Sequence, residues 1–166
     1  MINREIIRNK VVQLTYAYYQ NGNKNIDSAE KELLFSLSKA YDLYAYMLAL
    51  IPAVARESRK YLEVAQSKAQ REGTAMPSQK FAYNRFAIQV EQNTALNDIL
   101  DAKKSSWNDH PEFVNKLYLQ ITDSQIYKEY MDSSDDSYEA DRELWRKLYR
   151  TLIENNEGID SILEEE

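Results

Sequence analysis

Cysteine is absent from this 166-residue chain, glycine and proline occur three times each, and there is one histidine. Without cysteine the protein has no disulfide, no thiolate nucleophile and no cysteine-based zinc site, which agrees with a reducing, cytoplasmic setting. Three dispersed glycines leave no place for G-x-x-x-x-G-K-[ST], G-x-G-x-x-G or G-x-S-x-G, so a phosphate-cradling loop or a nucleophile elbow is not expected. The lone His110 lies between Asp109 and Pro111 and reads as a helix-start residue rather than a base or ligand. No Glu-x-x-His pair suggests a carboxylate-bridged metal site. Long hydrophobic runs are missing as well. The longest uncharged apolar stretch, Leu43 to Ala55, contains Pro52 and is shorter than the roughly 18 residues of a membrane span. Arg4 and Arg8 are followed by polar interruptions, so the N-terminus does not read as a signal peptide. These absences together point away from an enzyme, a cofactor and a membrane.

What is present is helix-forming: 43% apolar and 29% charged residues with few breakers. The expected fold class is all-α, a helical bundle with one long central helix and several shorter ones. The net charge of −6 is unevenly distributed. Residues 129–166 hold 13 acidic and 4 basic side chains, a net −9, which leaves +3 for residues 1–128. A polyanion-binding surface is therefore compatible with the first part of the chain, provided that the acidic end lies beyond a Debye length of about 8 Å.

Residues 3–20 read as an amphipathic helix. Ile7, Val11, Leu14 and Tyr18 fall at i, i+4, i+7 and i+11 and form a stripe expected to face a core. Arg4 and Arg8, then Thr15 and Tyr19, line one border of that stripe, a guanidinium-and-aromatic strip suited to phosphate and an unstacked base. Lys10 lies on the opposite border near Gln13 and Ala17. Tyr16 and Tyr19 sit away from the core stripe, available to a partner protein or a nucleobase. Solvated surface arginines are the plain alternative.

A polar break at 21–25 precedes Asp27-Ser28-Ala29-Glu30, which has capping-box spacing with Ile26 placed as a hydrophobic staple. The helix that follows repeats Leu34, Leu37, Tyr41, Tyr44, Leu48 and Ile51, widened by Leu33, Ala40, Met47 and Leu50, so it is expected to be central and buried on most sides. Tyr41, Tyr44 and Tyr46 read as core-edge residues. Pro52 is expected to kink or divide this helix. Residues 73–78 are the clearest loop, and they suggest a boundary between 1–72 and a second helical region at 79–166, either an insertion or a truncated part. In that region Phe81, Phe86, Ile88 and Val90 suggest one short helix, and Leu96, Ile99 and Leu100 another. Pro111 opens a third and 124–131 forms a fourth. Ser133–Ser137 caps a helix with Leu144, Trp145, Leu148, Leu152 and Ile153 as its apolar face. Lys80, Asn84 and Arg85 form a small polar and basic group read as a solvated loop. The acidic ending Glu164-Glu165-Glu166 suggests a handover to more chain, with a natural end the alternative.

Arg4, Arg8, Val12-Gln13 and Tyr16, followed by Ala29-Glu30-Lys31-Glu32-Leu33 and Ser36 to Tyr44, resemble the opening of long-form members of the NusB transcription antitermination family. The similarity covers about the first 50 residues, and 81–93 more loosely. It implies a NusB-like bundle of packed three-helix units. The activity it implies is binding of a boxA-type single-stranded RNA together with NusE, a small-subunit ribosomal protein, within the RNA polymerase elongation complex on ribosomal RNA operons. Arg4 and Arg8 would then contact RNA, with Lys10 and Gln13 as weaker contacts and Tyr16 structural. The competing expectation is a helical protein-binding module without RNA affinity, motivated by Glu5, the tyrosines of the first helix and the acidic last quarter.

Overall fold

The computed structural model describes every residue except 1–3, 21, 23, 24, 105, 155 and 166, and only the backbone of 6, 164 and 165. Among the described residues all regular structure is helical: α1 (Arg4–Gln20), α2 (Ile26–Glu72), α3 (Arg85–Glu91), α4 (Thr94–Lys103), α5 (Pro111–Asp123), α6 (Gln125–Asp132), α7 (Tyr138–Leu148) and α8 (Glu157–Glu165). A single 3-10 turn, Trp107–Asp109, leads into α5, and a π turn, Tyr149–Ile153, continues α7. The all-α architecture with one long helix matches the composition.

Two compact units divide the chain, Met1–Leu48 and Ala49–Glu166. The break falls inside α2, whereas the sequence places a boundary at the 73–78 loop. That loop lies within the second unit because the C-terminal half of α2 supplies this unit's core with Leu50, Val54, Leu62 and Ala69.

The start of α2 is set by Asn25, not by the Asp27 box. The Asn25 Oδ1 accepts from the backbone amides of Asp27 and Ser28 at 3.0 and 3.4 Å, which satisfies two amides of the first turn and places Ile26 within the helix. Pro52 stands inside α2 without dividing it. It is surrounded by Ala49, Leu50, Ile51, Ala53, Val54 and Ala55, all buried, so packing outweighs the roughly 3 kcal/mol intrinsic penalty of an interior proline. Burial on most sides holds only for this part. Leu34, Phe35, Tyr41, Leu43 and Tyr44 are exposed, so Tyr41 and Tyr44 are surface residues with rings stacked at 6.4 Å, whereas Tyr46 is buried.

The second unit has a conventional core. α5 buries Val114, Leu117, Tyr118 and Ile121, and α7 buries Asp141, Leu144, Trp145 and Leu148, both at i, i+3, i+4 and i+7. Phe81 belongs to the turn before α3 rather than to a helix, and from there it enters the core. Its ring stacks on Trp145 at 5.6 Å and meets the edge of Tyr127 at 5.1 Å. Ser124 and Ser137 cap α6 and α7 by accepting from the amides of Tyr127 and Ala140. Gly158 is needed where α8 passes the ring of Phe113, because an added Cβ would lie 2.9 Å from Cε2.

A polar junction ties the 80–85 turn to α6 and α7. Asp141 is 4% exposed. Its Oδ1 accepts from the Tyr130 hydroxyl at 2.6 Å, and its Oδ2 accepts from the Arg85 amide at 2.9 Å and from Arg85 Nε at 3.3 Å. Asn84 donates to the Tyr130 hydroxyl and to the Asp141 carbonyl, both at 3.3 Å. Its Oδ1 accepts from the Ala87 amide at 3.0 Å and Trp145 Nε1 at 3.2 Å. Lys80 donates to the carbonyls of Tyr130 and Ser133 and lies over the Tyr130 ring at 4.6 Å. The group read as a solvated loop is therefore an internal clamp: Asn84 is buried, Lys80 nearly so, and Arg85 is tied to Asp141.

Burial, then the bond to Asp141, pushes the Tyr130 phenol well above its ordinary range; burial also raises Tyr118, Tyr127 and Tyr149. A phenol whose folded pKa exceeds its unfolded value of about 10 adds stability that is complete below pH 10 and lost as pH rises through the folded pKa. The urea midpoint is accordingly expected to fall steeply above pH 10, and less steeply in Tyr130→Phe. Equal slopes in the two proteins would remove Tyr130 from the linkage.

Candidate functional site

The first unit differs from the second in having no interior along most of its length. From Arg4 to Tyr44, no described side chain is buried. The stripe Ile7, Val11, Leu14 and Tyr18, expected to face a core, is at most half-covered: Ile7 and Val11 are about 40% exposed, and Leu14 and Tyr18 are intermediate. Its partner is only the beginning of α2. Val11, Leu14, Thr15, Tyr18 and Tyr19 share with Ile26, Ala29, Glu30 and Leu33 a mostly apolar hollow of about 350 Å³. Two helices joined by a short turn can form such a groove but cannot close it, since a helix pair has no third layer to exclude water.

Beside the groove α1 carries a second apolar set, of which Tyr19 also lines the hollow. Val12 and Tyr16 are each 67% exposed and Tyr19 is 77% exposed. They recur at i, i+4 and i+7 and so share one side of the helix. The Tyr16 hydroxyl accepts from Gln20 Nε2 at 2.9 Å, and Tyr19 meets the Tyr18 ring edge-on at 5.5 Å. Eleven of the sixteen exposed large apolar side chains among the described residues belong to this unit.

Arg4 and Arg8 are exposed and neither forms an ion pair among the described residues. With α1 helical from Arg4 to Gln20, they line up with Thr15 and Tyr19 as their spacing requires. Arg4 and Tyr19 are separated by about 22 Å along the axis, so one nucleotide cannot touch both and a strand of several could. Gln13 is exposed and Lys10 half-buried, both turned from that border by the same spacing. Thus Arg4, Arg8 and Tyr19 share one border, and Lys10 and Gln13 do not join it. Asn3, the first residue of the stretch read as this helix, lies outside the described residues.

The second unit has hollows of a different character. One of about 320 Å³ is lined by Pro52, Arg56, Glu91, Leu96, Leu100 and Trp107 among others. Two of its charges are engaged: Glu91 accepts from Arg56 at 3.2 Å and from the neighbouring Arg59 at 2.8 and 2.9 Å. His110 is placed at the N-terminus of α5 with its ring edge-on to Trp107 at 6.2 Å. Among the described residues no three His, Asp or Glu side chains converge as metal ligands, and no helix is long and apolar enough to cross a membrane.

Sequence reasoning missed the hollow beside α1, because periodicity identifies an apolar face without identifying what meets it. Ile26, read as a staple, and Leu33, read as core, are its α2 wall. No family model, curated protein or solved structure matches the chain.

Proposed function

We propose that the chain is a helical interaction module whose first unit docks another polypeptide through the apolar surface of α1 and the first turns of α2. The observation that carries this reading is the run from Arg4 to Tyr44 with large apolar side chains and no described buried residue. A monomer's largest apolar patch is ordinarily about 300–600 Å². Here the apolar side chains left in water divide between the groove, with Val11 and Ile26, and another side of α1, with Val12 and Tyr16, so two faces of one hairpin are open to a partner. Such a surface is stabilised by a partner.

The test is photo-cross-linking in cells that express the chain, with p-benzoylphenylalanine in place of Tyr16 or Leu33. Adducts to any polypeptide support docking. Clean recovery of the uncross-linked chain at both positions counts against it.

A second reading, RNA binding within a NusB-like antitermination complex, is favoured by the exposed Arg4 and Arg8, which form no ion pair among the described residues, on the border shared with Tyr19. In this reading a boxA-type single strand lies along α1, a NusE-type ribosomal protein joins it, and the assembly acts on the elongating RNA polymerase. A titration of labelled boxA-like RNA at several salt concentrations, with and without the ribosomal protein, tests it. Three neutralised phosphates give a log-log slope of about −2, at roughly −0.7 each. Arg4→Ala/Arg8→Ala should flatten that slope; unchanged slope and affinity would rule out these residues as the RNA contacts.

A further inference from the structure

We infer that the polypeptide docked on the first unit is a second copy of this chain, two hairpins closing their grooves against each other as a two-fold four-helix bundle. The inference rests on the docking reading above and names its partner. Three observations carry it.

The groove has the geometry of half a bundle. α1 and the start of α2 both turn apolar residues into one hollow, Val11, Leu14 and Tyr18 from one side and Ile26, Ala29 and Leu33 from the other. The missing half is another helix pair with the same periodicity, and a two-fold axis supplies one without any new surface, because an isologous interface uses one patch twice.

The charge pattern suits a copy better than a strongly charged protein. Residues 1–48 contain six Lys or Arg and five Asp or Glu, a net +1, whereas 49–166 contain fifteen and twenty-two, a net −7. A basic partner gains no attraction from a face of net +1. Two copies of that face meet with almost no net repulsion.

The groove side is also left wet. Ile7 and Val11 on the α1 stripe are about 40% exposed and Ile26 on the α2 wall is 71% exposed, so closing the groove takes apolar side chains out of water that the hairpin alone leaves in it. Burying the Val11, Leu14, Tyr18 and Leu33 side of the hairpin gives the unit the core that it lacks alone.

Sedimentation equilibrium of the full chain tests the inference directly. The expected mass is twice 19.5 kDa. Leu14→Glu/Leu33→Glu should reduce it to one chain mass while the circular dichroism of the second unit persists. Because the chain is cysteine-free, Leu33→Cys is a milder probe that does not depend on the glutamate variant folding, and mild oxidation should yield a disulfide-linked dimer. A single-chain mass up to about 100 µM, where a micromolar dimer is largely assembled, would overturn the inference. The photo-cross-links separate the two levels, Leu33 lining the groove and reporting on the copy. Adducts of twice the chain mass support the copy, and adducts only to other polypeptides overturn it and leave docking standing. No adducts overturn both.

Discussion

Asp141→Ala is expected to lower the stability of the second unit by about 3 kcal/mol, read as a fall of roughly 10 °C in the thermal midpoint. The size follows from what the substitution leaves behind rather than from the ion pair. Arg85 is more than half exposed, so its attraction to Asp141 is largely screened by solvent and contributes little. The Tyr130 hydroxyl and the Arg85 amide, in contrast, lose an acceptor at 2.6 and 2.9 Å, and the hydroxyl keeps only the Lys80 carbonyl at 3.4 Å. A buried donor without an acceptor costs its full desolvation, about 1–3 kcal/mol each. Asp141→Asn keeps an oxygen of the same shape and should cost less than half as much. If alanine were tolerated within about 1 kcal/mol, the junction would be a surface pairing and not a structural clamp.

The second large effect is expected at Trp145, which is 2% exposed and packs on Phe81 while donating to Asn84. Trp145→Ala removes the largest side chain of α7 from the core and should cost about 4 kcal/mol, with urea denaturation followed by circular dichroism as the measurement. Trp145→Phe retains most of the stacking and loses the indole bond, so about 1–2 kcal/mol is expected. Because Asn84 bonds to both Trp145 and the Asp141 carbonyl, the two alanine substitutions share a neighbour. Their combined cost should fall short of the sum by more than about 0.5 kcal/mol, and strict additivity would contradict the network.

Local signals in the sequence were informative wherever the determinants were local. Ser124 and Ser137 announce α6 and α7 because an N-cap bond spans three residues and needs nothing from elsewhere. The start of α2 was misplaced for a related reason: Asn25 and Asp27 both have capping chemistry, and only the backbone shows which of them takes the first amides. Asp141 illustrates the opposite limit. In an acidic stretch it reads as surface, yet it occupies the first position of an i, i+3, i+4, i+7 buried set and pairs with a residue 56 positions earlier. Nothing within its own helix signals that. The apolar residues that follow Phe81 predict a helix that includes it, whereas it reaches the core from a turn.

The candidate surface was half legible. Helical spacing alone placed Arg4, Arg8 and Tyr19 on one border and kept Lys10 and Gln13 away from it, since α1 is regular throughout. The same spacing predicts a core beneath Ile7, Val11, Leu14 and Tyr18, and the hairpin leaves that stripe half in water. Amphipathicity records which face prefers to leave water, and it is equally satisfied by the chain's own interior or by another molecule.

Both tryptophans, Trp107 and Trp145, are buried in the second unit, and the first contains tyrosine and phenylalanine alone. Intrinsic emission excited at the indole band is therefore blind to α1 and the beginning of α2. A denaturant curve collected that way describes one unit only, and its agreement or disagreement with a far-ultraviolet curve tells directly whether the two halves of the molecule let go together.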